Sequence, residues 1–212
     1  EQILALSDSR WYRPASTNLS ALPLPASVNT AIQRVILGLD AHRPWVIKDP
    51  RMCLTAPFWL AAMEYPLVLI CSRDAHAVAA SLHARDNMPP EYAIALWEHY
   101  AVSLLKASYA QAKIHLRYEE LIEQPTAVIE QIGAQLQAFG VDRLHTPSAA
   151  ELHAYLQPAA VKPRKHAFPA LTQEQLIIQS MLQGDTPIDI NVEVSPASRE
   201  LMARVIQGPP IG

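Results

Sequence analysis

Six apolar residues in unbroken succession, Pro66-Leu67-Val68-Leu69-Ile70-Cys71, run straight into Ser72-Arg73 and then into an alanine-rich stretch behind Asp74. An apolar run without polar alternation is what a strand covered on both faces requires, and such strands belong to parallel sheets sandwiched by helices. Asp74 is a good N-cap residue, so the spacing predicts a helix from there to about Arg85. Two shorter segments have the same strand character. Trp45 to Lys48 follows the Arg43-Pro44 break, and Lys113 to Arg117 sets Ile114 and Leu116 on one side.

Helical spacing fills the intervals. Val28, Ile32, Val35, Ile36 and Leu39 recur at three and four residues, and Thr55 to Met63 suits a short helix. Pro89-Pro90 opens a longer helix with Ile94, Trp97, Ala101, Leu104 and Leu105 on one face. Pro125 opens another, whose Ile129, Ile132, Leu136 and Phe139 are predicted to face the core before Gly140 ends it. Strand and helix thus alternate three times, the order of an α/β fold.

Beyond Gly140 the chain reads as helical only. Ser148 to Leu156, Thr172 to Leu182 with a Thr172…Gln175 capping box, and Pro196 to Ile206 behind Ser195 are the predicted elements. The Ser-, Pro- and Asn-rich stretch 8–27 and the basic stretch 158–169, with Lys162, Arg164, Lys165 and His166, read as loops. The expected organisation is one domain over 1–212, made of a loop and helix region (1–43), an α/β core (44–140) and a helical part (141–212).

Half of the 212 residues are hydrophobic, which excludes a disordered chain. The formal net charge of -3 gives no general attraction for nucleic acid or an anionic membrane, so any anion has to be met by local cations. Apolar stretches fall short of the roughly 18 residues needed to span a bilayer. Cys53 and Cys71 lie in apolar surroundings without metal-ligand spacing, and the eight histidines are dispersed. We therefore expect unpaired, packed thiols, a cytoplasmic setting and no metal. The opening at Glu1, leading directly into Gln2-Ile3-Leu4-Ala5-Leu6, suggests that more of the protein lies upstream.

Candidate chemistry clusters at the predicted strand ends. Lys48-Asp49-Pro50-Arg51 follows the first, Ser72-Arg73 the second, and Tyr118-Glu119-Glu120 the third. Ligands of open parallel sheets gather outside the carboxyl ends of strands, so these cations mark an anion site. Ser81 lies seven residues beyond Asp74, two helical turns along the same face, where its hydroxyl can supplement the forked donors of Arg73 on a phosphate. The plainer alternatives are a solvated Lys48, an Asp49-Pro50 turn, an exposed Arg73, a neutral helical Ser81 and a structural Tyr118 ring.

Together these segments resemble the sulfotransferase superfamily that uses 3′-phosphoadenosine 5′-phosphosulfate (PAPS), in particular bacterial members with a Lys-Asp-Pro-Arg strand exit. The resemblance runs from about Trp45 to Phe139. It rests on Trp45 to Leu54, on Ser72 to Leu82, on Leu96-Trp97-Glu98-His99-Tyr100 and on Arg117-Tyr118-Glu119-Glu120-Leu121. It implies a P-loop-NTPase-like parallel sheet flanked by helices, with a helical C-terminal part. The implied co-substrate is PAPS, with Arg73 and Ser81 on its 3′-phosphate and Tyr118 near its adenine. The implied acceptor is a hydroxyl or amine of a small molecule or glycan; oligomeric state is not legible.

Three departures accompany the resemblance. The family's loop for the 5′-phosphosulfate, an Arg-Ser-Gly-Thr type of segment after its first strand, is missing from this sequence, as is that strand. Ala75 stands where proline usually follows Arg-Asp, and no histidine replaces the residues of the Lys-Asp-Pro-Arg segment. A P-loop kinase is disfavoured, because the Gly-x-x-x-x-Gly-Lys-Ser/Thr signature is missing. For an in-line sulfuryl transfer the expected catalytic residues are Lys48 on the leaving or transferring group, Arg51 on the strand exit or the acceptor, and Asp49 as acceptor base or as cap of its own turn. His76 competes for the role of base, and His99 reads as a packing residue. The alternative is an inactive relative that keeps nucleotide binding or serves as an interaction module.

Overall fold

The computed structural model describes residues 2–14, 22–156 and 168–207. In chain order the elements are α1 (Gln2–Ala5), α2 (Ala26–Asp40), α3 (Met52–Leu60), β1 (Leu67–Ser72), α4 (Ala75–Asp86), α5 (Pro90–Ser108), β2 (Ala112–Arg117), α6 (Tyr118–Glu123), α7 (Pro125–Ala138), α8 (Ala149–Tyr155), α9 (Gln173–Gln183) and α10 (Pro196–Gln207). The chain is a mixed α/β fold, mostly helical, around a small parallel sheet of two strands. In register, Leu67 lies opposite Ala112 and Ser72 opposite Arg117, so both strands end side by side.

The core is organised on α5. Seven consecutive residues, Tyr92 to Glu98, are buried, so this helix is covered nearly all round instead of along one stripe. Ile70 from β1, Ala75 and Ala79 from α4, Ile178, Met181 and Leu182 from α9 and Met202 from α10 belong to the same cluster. The small alanines are what let α4 lie close to α5. A second, smaller cluster joins Ile3 of α1 and Ile32 and Ile36 of α2 to Trp45, Phe58 and Trp59.

Locally encoded ends form as predicted. The Asp74 carboxylate accepts from the Ala77 N–H at 2.8 Å and so starts α4. Pro90 and Pro125 stand at the first positions of α5 and α7, and Ser148…Glu151 and Thr172…Gln175 close capping boxes on α8 and α9. Gly184 ends α9 at φ +81°, where an added Cβ would also come within 3.0 Å of the His115 ring, so two separate constraints select glycine there.

Three expectations need correction. Trp45 to Lys48 is not a strand: Val46 is 80% exposed, and Trp45 instead donates its indole N–H to Asp40 at 2.8 Å. An extended apolar segment becomes a strand only where a neighbour takes up its backbone groups, and no neighbour does so among the described residues. Strand β1 is covered on one face only. Ile70 and Ser72 are buried, whereas Leu69 and Cys71 on the other face are exposed, so the unbroken run concealed an alternating environment. Phe139 is half exposed, because α7 ends at Ala138 and the following residue leaves the helix face that Ile132 buries.

Boundaries also shift at α3, which starts at Met52 rather than Thr55. The Arg51 N–H donates to the Asp49 carboxylate and the Met52 N–H to the Asp49 carbonyl, both at 2.9 Å, so the turn itself launches the helix. The basic residues Lys162, Arg164, Lys165 and His166 lie outside the described residues. No helix among the described residues is long and apolar enough to cross a membrane.

Candidate anion site at the strand ends

Ser72 closes β1, and the chain turns at Arg73 before Asp74 caps α4; Arg117 closes β2, and Tyr118 opens α6. Because the strands are parallel and in register, the turn after β1 and the turn after β2 are neighbours. Their proximity brings the Arg73 guanidinium over the Tyr118 ring, 4.6 Å from its centroid. The stack holds the planar cation from one side and leaves the edges of the fork for hydrogen bonds. The Nε of Arg73 is sealed from solvent and has no hydrogen-bond partner. A buried donor in that condition is costly to the protein on its own and is relieved by an acceptor.

The first amides of α4 are in a different state. The Asp74 N–H donates to Glu119 at 3.1 Å and the Ala75 N–H to Gln179 at 2.9 Å. Side chains from α6 and α9 thus occupy donors that a helix N-terminus could offer to an anion. Ser81 lies on the exposed face of α4, and no direct contact joins it to Arg73 or Tyr118 among the described residues. Of the three predicted nucleotide ligands, two are brought together and the third stands two helical turns away from the cap.

The Lys48 to Arg51 segment adjoins the same end of the sheet. The Lys48 ammonium acts on the Cys71 thiol, lowering its pKa against the larger effect of burial, which raises it. Lys48 itself is exposed. Asp49 and Arg51 bind one another: the Arg51 Nε donates to both carboxylate oxygens, at 2.8 and 3.0 Å, and the guanidinium completes the pair through a second nitrogen. That pairing, with the Arg51 backbone N–H, holds the Asp49 carboxyl below its ordinary range, although burial opposes it. Cys53 lies close enough to feel Asp49 and Cys71, and burial pushes its thiol up to about 11, so both cysteines are protonated, weak nucleophiles. Cys71 is exposed as a residue, contrary to the expectation that it is packed.

His76, the histidine considered as a base, is engaged elsewhere, and His99 is packed as expected. The His76 Nε2 is 2.9 Å from the Pro169 carbonyl, with the Phe168 ring nearby. Burial in α5 lowers His99 to about 4, so it is neutral near pH 7.

Sequence reasoning placed Glu119 at a strand exit without its contact to the Asp74 amide, gave Glu98 no role, and missed Gln179. Gln175 and Gln179 stand four residues apart on α9, which places both on one face, but nothing in the sequence says what that face meets. Among the described residues, no three His, Cys, Asp or Glu side chains gather where they could hold a metal ion. Comparison of the chain with known protein families, curated proteins and solved structures gives no match.

Proposed function

We propose that the chain is a sulfotransferase, or the larger part of one, with a P-loop-NTPase-like nucleotide fold, taking a sulfuryl group from PAPS to a hydroxyl or amine of a small molecule or glycan. The observation that carries this reading is Arg73, whose stacked guanidinium and partnerless buried Nε lie at the carboxyl end of a parallel strand. An anion with several acceptor oxygens, such as a nucleotide 3′-phosphate, is the partner that such a fork lacks. Ser81 offers a further donor from α4, the helix that follows Arg73, and Tyr118, already committed to one ring face, can border the adenine.

In the transfer, the bond from sulfur to the departing phosphate oxygen breaks as the acceptor oxygen bonds to sulfur, and the acceptor's proton passes to solvent water. Lys48 is suited to the charge that builds on the leaving phosphate, since it is exposed beside the sheet end. Arg51 holds Asp49, which fixes the turn after Ile47. With its pKa lowered by that pairing, Asp49 is a weak base and serves better to orient the acceptor hydroxyl than to take its proton at equilibrium.

A second reading, a nucleotide-binding module without transfer activity, is favoured by the same weakness of Asp49 and by the capped amides of α4. Titration calorimetry with 3′-phosphoadenosine 5′-phosphate tests both. Saturable binding that is weakened in Arg73→Ala is expected, and no binding to the unmodified chain overturns both. Transfer of labelled sulfate from PAPS then separates the enzyme from the module.

A further inference from the structure

A cavity of about 120 Å³ lies between α1, the 45–51 segment and α3. Ile3, Leu4, Ile47, Met52 and Trp59 make its apolar wall, and Thr55 contributes from α3 with its hydroxyl already donated to the Arg51 carbonyl. Asp49 and Arg51 form the one charged edge. They are bound to each other there, so the cavity offers a ligand a single polar border and otherwise hydrocarbon.

We propose that this cavity is a subsite for a compact hydrocarbon group, and, resting on the sulfotransferase reading, that it seats the body of the acceptor with one hydroxyl turned to Asp49. Size and chemistry both select the ligand. An apolar cavity of about 150 Å³ is known to hold benzene, so this one suits a group of about five or six carbons. A sugar ring of that size would press hydroxyls against Ile3, Leu4 and Met52, where they find no partners and lose their hydration. A cyclic or branched alkyl group loses nothing by the same contact and gains from leaving water. The inference therefore chooses between the acceptor classes left open above: a small apolar alcohol, not a glycan.

The test compares two ligands with the same carbocycle, cyclohexanol and myo-inositol, by following the Trp59 indole N–H resonance in the labelled chain. Cyclohexanol is expected to shift this resonance saturably and myo-inositol to leave it in place. Ile47→Trp and Met52→Phe, which fill the cavity from two sides, are expected to abolish the shift, with circular dichroism checking that each variant is folded. Calorimetry with 3′-phosphoadenosine 5′-phosphate on the same unmodified sample distinguishes the two failures. A cyclohexanol shift without nucleotide binding supports the hydrocarbon subsite and removes its role in sulfuryl transfer. Nucleotide binding with an unmoved Trp59, or with an equal response to myo-inositol, overturns the subsite and leaves the sulfotransferase reading standing.

Discussion

Glu98 in the middle of α5 and Arg73 at the end of β1 are both charged groups drawn into the fold, yet their surroundings are opposite. Glu98 is fully buried and accepts from Gln175 at 2.6 Å, from Ser198 at 2.7 Å, and from both the backbone and the hydroxyl of Ser195. Its partners come from α9 and from the start of α10, so the carboxylate also meets the positive end of a helix. Arg73 has an aromatic face beneath it and a sealed Nε with nothing to bond. One charge is fully used by the architecture, and the other is held in place with capacity left over. Satisfied burial marks a structural group; unsatisfied burial at a strand end marks a place for something else.

The largest effect that would sharpen this contrast is Glu98→Ala. Removing the carboxylate strands the neutral donors of Gln175, Ser195 and Ser198 in the core and is expected to cost about 3 kcal/mol or more in urea unfolding, since each buried donor left unpaired costs about 1–3 kcal/mol. Nucleotide affinity of the folded fraction should be unchanged. A loss below about 1 kcal/mol would mean that the donors find other partners and that the two charges differ less than their surroundings suggest.

Acid offers a second probe of α5, through His99. Its folded pKa of about 4 lies below the unfolded value near 6.5, so the unfolded chain binds the extra proton first. Stability is therefore full above pH 6.5 and falls as the pH drops from 6.5 toward 4, by up to about 3 kcal/mol. Urea midpoints measured from pH 7.5 to 4.5 should show that slope, and His99→Phe should flatten it. An unchanged slope in the variant would assign the acid limb to other groups.

Arg73→Ala is expected to do the reverse of Glu98→Ala. Binding of 3′-phosphoadenosine 5′-phosphate should weaken by about 1.5–3 kcal/mol, the worth of a charged hydrogen bond, with the unfolding free energy unchanged or raised, because the partnerless buried donor goes with the side chain. Should stability collapse while affinity holds, Arg73 belongs with Glu98. The smallest effect is expected for Asp49→Asn. The pair with Arg51 is only partly buried, so thermal unfolding should shift by less than about 1 kcal/mol, and the acid loss it carries appears only as the pH falls through the lowered carboxylate pKa.

What the sequence revealed was what neighbours along the chain decide. Asp74, Ser148 and Thr172 accept from amides within one turn, and Pro90 and Pro125 fix the first helical φ, so their helices were legible. Both true strands were legible to within a residue or so. Trp45 to Lys48 was not, since its composition is that of a strand but its state depends on a distant neighbour. The site divided in the same way. Adjacency of Arg73 and Tyr118 followed from the parallel order of two strand exits, whereas the mutual binding of Asp49 and Arg51 is a finding of the structure. That Gln179 and Glu119 would fill the amides of α4, or that Glu98 would sit among donors from two later segments, depends on contacts across 45 to 104 positions of chain. No local pattern reports those.

Gln175 and Gln179 stand one turn apart on a single rigid rod, one gripping Glu98 and the other stoppering the Ala75 amide. Any visitor that claims this amide must evict Gln179. If the eviction is a swing of the side chain, the rod stays put and the interior never registers the event. If instead the whole rod slides, Gln175 is dragged with it, and the ligature at Glu98 loosens in the same stroke, so that arrival at the surface is telegraphed to a fully buried charge in the core.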